Sequence, residues 1–227
     1  MLTRRVFVAL SPQLDKIFRG WGKPKESDKT ALGLKEALSV GIENAVQLLG
    51  HPDGYFRNEL VKILLPPQFK AAERAMRFAG LSNVVDQFVL SMNRAAETAA
   101  PFAKEIFIGA IKEITFDDAR RILTGSNTAA TEFFKGKTTN KLTDLFKPVV
   151  QKAMSEVGVT KQYQAFVGRL KMLPFVKAES LDLDQYVVSK ALEGLFFTLG
   201  EEEKKIRTNP AARVTSLLKE VFGGLNR

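Results

Sequence analysis

The sequence predicts an all-α protein: a single domain of about eight to ten amphipathic helices around a long central helix, spanning residues 30–223 behind a basic N-terminal arm at 1–29. Three observations carry this. From Thr30 onward, apolar residues recur at spacings of three and four, the period of a helix with one buried face. No stretch alternates apolar and polar residues as a half-buried strand does, and no internal repeat recurs at a fixed period. Of the 227 residues, 45% are hydrophobic and 26% charged, enough apolar content for a core and far from a disordered composition.

Each element follows from its own start and stop signals. Residues 11–29 place Pro12, Gly20, Gly22 and Pro24 among charges and read as a linker or arm. Leu34, Leu38, Ile42, Ala45 and Leu49 then share one helical face, and Gly50-His51-Pro52-Asp53-Gly54 stops that helix. Pro66-Pro67 opens a helix running to about Phe78, with Gly80 as its terminator. The central stripe runs from Val85 through Phe88, Met92, Ala95, Ala99, Ala103, Ile106 and Ala110 to Ile114, with a kink or break expected just before Pro101. Its alanine-rich middle (Ala95, Ala96, Ala99, Ala100, Ala103) leaves room for a neighbouring helix to approach closely.

Thr115 and Asp118 form a capping-box start for a short helix ending near Gly125. Residues 127–135 and 138–157 read as two helices, broken at Gly136 and ended at Gly158. Thr160–Leu173 adds an amphipathic segment stopped by Pro174. Asp182 and Gln185 cap a helix whose inner face is Val188, Ala191, Leu195 and Leu199. Asn209-Pro210 is an N-cap and first-turn proline for a last helix with Val214, Leu217, Leu218 and Val221 inside.

Composition removes whole classes of chemistry. With no cysteine, disulfides, thiolate metal sites and cysteine nucleophiles are excluded. The single histidine, His51, excludes multi-histidine metal sites. No apolar run approaches the roughly 20 residues of a membrane-spanning helix. Of the net charge of +9, residues 1–30 supply +4, from seven basic residues against three acidic ones. The body is thus only mildly basic, its Lys and Arg interleaved with acids, and no nucleic-acid partner is expected. The first fourteen residues carry Arg4 and Arg5 and no acid, and their apolar run Val6–Leu10 is too short for a secretory core. A mitochondrial presequence is the favoured reading, with a truncated bacterial signal and a plain basic arm as alternatives.

Candidate sites are few. His51 and Asp53 sit together in a Pro/Gly turn, where a turn-stabilising role is favoured over a general base. Asn93, Arg94 and Glu97 can meet at helical spacing beside the alanine stripe, as a half-buried pair fixing helix register or as part of a ligand site. Arg207, Asn209 and Arg213 surround a helix start that could take an anion, although plain capping by Asn209 is favoured. Asp117-Asp118 complements a helix dipole and lacks further metal ligands nearby, and Leu123–Ser126 lacks the continuation of a phosphate loop. Catalytic and metal residues are assigned none, and no cofactor is expected. Phe133-Phe134, Phe196-Phe197, Phe175 and Phe222 read as core or partner-contact residues.

A set of short motifs in fixed order completes the reading: Gly33–Leu38, Gly54–Phe56, Met92–Glu97, Ile106-Phe107, Asp117–Ala119, Ala129–Thr131 with Phe134, and Asp184–Val187. Ala191–Phe196, Glu201-Glu202, Ile206-Arg207, Asn209–Arg213 and Leu217-Leu218 continue it. Together they resemble the domain of unknown function 4197 family over about residues 30–223. The resemblance implies an all-helical protein, commonly bacterial and exported to the periplasm or made as a lipoprotein, with no activity or ligand attached. Leu14–Phe18 resembles the start of the family's mature region with thirteen residues before it, which leaves the periplasm or envelope as the alternative to the mitochondrion.

The expectation is therefore a non-catalytic helical interaction protein, an accessory or scaffold subunit of a membrane-associated assembly, whose arm can meet an anionic membrane surface. A carrier of a lipid or other apolar ligand between helices is the alternative, and an enzyme is less expected.

Overall fold

The computed structural model describes residues 26–156 and 182–213, together with the isolated positions 168, 215 and 219. Among these residues there are seven α-helices, three short 3-10 turns and no strand: α1 (Glu26–Leu49), α2 (Lys70–Phe78), α3 (Ser82–Ala99), α4 (Ala103–Glu113), α5 (Phe116–Thr124), α6 (Ala129–Glu156) and α7 (Leu183–Thr208). The fold is all-α as the periodicity predicts, with fewer helices among the described residues than the eight to ten expected. The segment 160–173 (apart from Gly168), Phe175, and the inner face of the last expected helix, from Val214, with Phe222, lie outside the described residues.

Four local expectations meet the structure differently. The arm was expected to reach residue 29, but α1 already begins at Glu26. The central stripe is not one long helix, and the break expected just before Pro101 is there. Pro101 lacks the N–H that would bond the carbonyl four residues back, so the ladder gives way to a 3-10 turn at Ala100–Phe102 between α3 and α4. Gly136 was expected to break residues 127–157 into two helices, yet α6 runs through it for 28 residues. Phe134, Thr138, Leu142, Phe146 and Val150 keep one buried stripe across that point. Their packing outweighs the roughly 1 kcal/mol that a mid-helix glycine costs. Pro148 also sits within α6, on the exposed side, where the carbonyl it leaves unbonded can face water. Finally, Asn209-Pro210 opens a three-residue 3-10 turn, Pro210–Ala212.

The core is shared by α1, α3, α4, α6 and α7. The alanine stripe Ala95, Ala96, Ala99, Ala100 and Ala103 is fully enclosed, which lets neighbouring helices come in close. At the centre the ring of Phe107 in α4 meets Phe134 in α6 and Phe196 in α7 edge-to-face, at 5.7 and 5.9 Å between centroids. Helix ends are capped as read: Thr115 Oγ1 accepts from the Asp118 N–H while Asp118 Oδ2 accepts from the Thr115 N–H, and Asp182 Oδ1 accepts from the Gln185 N–H. The Asp118 carboxyl is held below its ordinary range, chiefly by the Thr115 hydroxyl and N–H, with Arg121 adding to it.

Candidate functional site

Residues 50–66 join α1 to the first 3-10 turn without regular structure, so their backbone groups need partners from elsewhere. Helix α3 supplies them. Asn93, wholly buried, accepts from the Ile63 N–H through Oδ1 at 2.8 Å and donates from Nδ2 to the Ile63 carbonyl at 2.8 Å and the Val89 carbonyl at 2.7 Å. One turn on, Glu97 accepts the N–H groups of Tyr55 and Phe56 through Oε1, both at 3.1 Å. Its other oxygen takes Arg94 Nη1 at 2.6 Å. Arg94 Nη2 in turn reaches Asp53 Oδ1 at 2.7 Å, and Asp53 also pairs with Arg57 at 3.0 Å. The two carboxylates raise the Arg94 guanidinium above its ordinary value, the Glu97 hydrogen bond most strongly.

The turn at the head of this segment is tight. Asp53 adopts φ 71°, a left-handed conformation that Asp tolerates better than most residues. At Gly54 a Cβ would come within 2.5 Å of the Leu48 carbonyl oxygen, so only glycine fits. Tyr55 follows, fully buried, its hydroxyl donating to the Ala191 carbonyl of α7 at 2.7 Å. The ring fits because Gly194 has no side chain: a Cβ there would lie 2.8 Å from Tyr55 Cε1. Burial, with the Glu97 charge second, pushes the Tyr55 phenol well above its ordinary range.

Asn93, Arg94 and Glu97 thus do come together on one face, but not as a single polar trio. Asn93 works on Ile63, and Glu97 with Arg94 works on residues 53–56. The sequence reading missed Asp53 as the partner of Arg94 and Tyr55 as the second anchor, because both lie about forty residues away in an aperiodic stretch. His51, expected to stabilise the turn, is exposed with Nδ1 2.7 Å from the Pro52 carbonyl oxygen.

The second expected constellation is rearranged more deeply. The buried Arg207 side chain pairs with Glu203 at 2.8 Å and donates from Nη2 to the Ile122 carbonyl at 2.8 Å and from Nη1 to that of Leu123 at 3.4 Å, at the C-terminal end of α5. Arg213, 5% exposed, turns back to the carbonyls of Ile206 (3.1 Å) and Arg207 (2.8 Å) at the end of α7. Asn209 Oδ1 accepts from the Ala211 N–H within the 3-10 turn. The two arginines therefore cap helix C-termini, and among the described residues Asn209 opens only the 3-10 turn Pro210–Ala212. The residue that sequence reasoning missed is Glu203. Its oxygens accept the Ala130 and Thr131 N–H groups and the Thr131 hydroxyl at 2.8–2.9 Å, capping the start of α6. Its i,i+4 spacing to Arg207 was a readable signal.

Chemically these groups are occupied. Among the described residues, every fully buried side-chain nitrogen and oxygen has a hydrogen-bond partner. No group of three or more His, Asp or Glu among them is placed to hold a metal ion. No helix among them is long and apolar enough to cross a membrane.

No curated protein and no solved structure matches the chain. The motifs that build the clamp, Gly54–Phe56 and Met92–Glu97, and the junction at Glu203 and Arg207 all fall within the segment matched by one family model. That model, described as a protein of unknown function (DUF4197), covers residues 25–223, and the chain belongs to this family.

Proposed function

We propose that this chain is a non-catalytic helical interaction protein, an accessory or scaffold subunit of a membrane-associated assembly, in a mitochondrial or alternatively a periplasmic setting. The observation that carries the reading is the segment pinned by α3. Between residues 55 and 78 it holds Leu60, Leu64 and Phe78 at 74%, 60% and 97% exposure, while Glu97 holds its backbone at Tyr55 and Phe56 and Asn93 holds it at Ile63. Rigidly presented, solvent-exposed large apolar side chains suit a contact surface better than a catalytic one. Exposed Lys70 and Arg74 add positive charge beside them, in keeping with an acidic or anionic partner surface.

The inventory of reactive groups points the same way, because Glu97, Glu203, Arg207 and Arg213 are spent on helix ends and loop backbone, and Glu202 on Asn44 and Lys205. A carrier role finds no space in the apolar void among α1, α6 and α7, which leaves about 10 Å³ free, scarcely room for one water, and would have to use the open surface grooves instead. The test is the native size of the particle extracted from membranes in mild detergent. A complex well above 25.2 kDa is expected, and the triple change L60E/L64E/F78E should release a monomer whose melting temperature is unchanged. A monomer from the unaltered chain sinks the reading.

A further inference from the structure

Helix α2, Lys70–Phe78, buries Ala72 and Met76 and turns Lys70, Arg74 and Phe78 outward, four residues apart and so along one stripe. Neither Lys70 nor Arg74 is in an ion pair among the described residues. Two like charges at that spacing repel, and Lys70 stands in the first turn, where the helix dipole opposes a cation. Helix stability therefore does not account for them. Arg77 is different: it pairs with Glu73 at 3.0 Å and with Asp86 of α3 at 2.8 Å, which ties the two helices together across their turn. With both acids counted, the face holds three cations against two acids, and the excess lies in the Lys70–Arg74 stripe. The turn beyond, Phe78-Ala79-Gly80, is exposed throughout, with Gly80 left-handed at φ 78° and open space around it. The Ala79 N–H donates to the Ala75 carbonyl at 3.0 Å, that of Gly80 to Arg77 at 3.1 Å and that of Leu81 to Met76 at 2.9 Å. The donors of this tip are thus satisfied within it, the condition for backbone to enter a poorly hydrated layer without loss.

We propose that the outward face of α2 and its tip contact an anionic lipid surface, with Phe78 entering the headgroup layer and Lys70 and Arg74 meeting lipid phosphates. The inference rests on the contact-surface reading above and divides that surface, leaving Leu60 and Leu64 to the protein partner. With α2 lying flat on the surface, the stripe brings all three side chains onto one plane over about 12 Å. Phe78 projects almost wholly into solvent between small neighbours, Ala79 and Gly80. A single projecting ring needs no pocket in a fluid bilayer, whereas a protein would need a cavity shaped to it. One ring alone binds a bilayer only marginally, and the two cations supply the second signal that stable membrane contact requires. The internal hydrogen bonds of the turn and the Arg77–Asp86 pair hold the tip in shape, so little order is lost on contact.

The chain has no cysteine, so one introduced cysteine reports on one place. Ala79→Cys carrying a nitrobenzoxadiazole label keeps Phe78, and Asn140→Cys on the exposed side of α6 carries the control label. With vesicles of phosphatidylglycerol and phosphatidylcholine in equal parts, the label at 79 is expected to brighten and shift to the blue while that at 140 does not. Vesicles of phosphatidylcholine alone should give no response. Adding K70E/R74E should raise the lipid concentration needed at least about tenfold. F78S should abolish the blue shift, and both changes should leave helicity unaltered with no fall in melting temperature. A label at 79 that stays silent overturns the proposal, whether the chain binds the vesicles through its N-terminal arm or not at all, and leaves the face to a protein partner. So does an equal response on the neutral vesicles or from the K70E/R74E chain. Particle size from native membranes reads the assembly separately. A large particle with a silent label overturns the lipid contact alone, and a monomer whose label responds supports the contact while sinking the assembly.

Discussion

At two places the molecule holds backbone with the same device, an arginine and a buried glutamate one turn apart on one helix, and the two uses differ in what backbone they serve. On α3, Arg94 and Glu97 hold an irregular segment, residues 53–56, against the helix, and Arg94 remains 30% exposed. On α7, Glu203 and Arg207 are 6% and 8% exposed and join the start of α6 to the end of α5. The first pair can be lost with a loop, whereas losing the second separates three helices. Nearby, Asn44 of α1 donates to Glu202 of α7 at 2.9 Å, which extends the same junction to a fourth. Stability should therefore be distributed unevenly, with the junction opening only on global unfolding and the clamp opening below it.

Breaking the junction should cost most. Glu203→Ala leaves the buried Arg207 charge without its carboxylate and orphans two N–H groups and the Thr131 hydroxyl, for an expected loss of about 3–5 kcal/mol in urea unfolding. The less drastic Glu203→Gln keeps one acceptor and removes the negative charge that faces Arg207. If either change left global stability intact while only local exchange rose, the distinction between junction and clamp would collapse. Asn93→Ala should cost less, about 2–3 kcal/mol, because it orphans the buried Ile63 N–H. Hydrogen exchange should locate its effect at Ile63 and at Tyr55 and Phe56 next along the segment, sparing Ala130 and Thr131.

How much of this the sequence disclosed depends on where each partner sits. The caps were readable because Thr115 and Asp118 satisfy one another within a single turn, and Asp182 takes the N–H of Gln185 three residues on. The break at Pro101 was readable because a missing N–H acts locally. Continuity of α6 through Gly136 was not, since the side chains that enforce it are buried by other helices rather than by their neighbours in sequence. The polar residues Asn93 and Glu97 stood out at helical spacing, but their true partners are main-chain groups 30 and 41 to 42 residues away. Backbone N–H groups are the same at every position and leave no mark in a sequence. For that reason Glu203, whose principal partners are the N–H groups of Ala130 and Thr131, passed as one more acid on a charged helix face.

The finest test of the clamp is titration of its second anchor. Tyr55 donates to Ala191 from a fully buried site, and Phe in its place would lose one hydrogen bond, worth about 1 kcal/mol at neutral pH. The larger signature lies in alkali. Burial and the Glu97 carboxylate raise the folded phenol's pKa, whereas in the unfolded chain it ionises near the ordinary value of about pH 10. Above that pH the folded state binds the extra proton, so its stability falls as pH rises, by about 1.4 kcal/mol per unit for this one group. Below it the slope vanishes, since both states are protonated. Tyr186 is also raised, by partial burial and Glu193, but it is present in both proteins and cancels in their difference. The difference in unfolding free energy between the unaltered chain and Tyr55→Phe should thus be flat to about pH 10 and then shrink and reverse. A difference that stays constant into alkali would mean that Tyr55 ionises as freely folded as unfolded, and that the clamp opens without unfolding the helices around it.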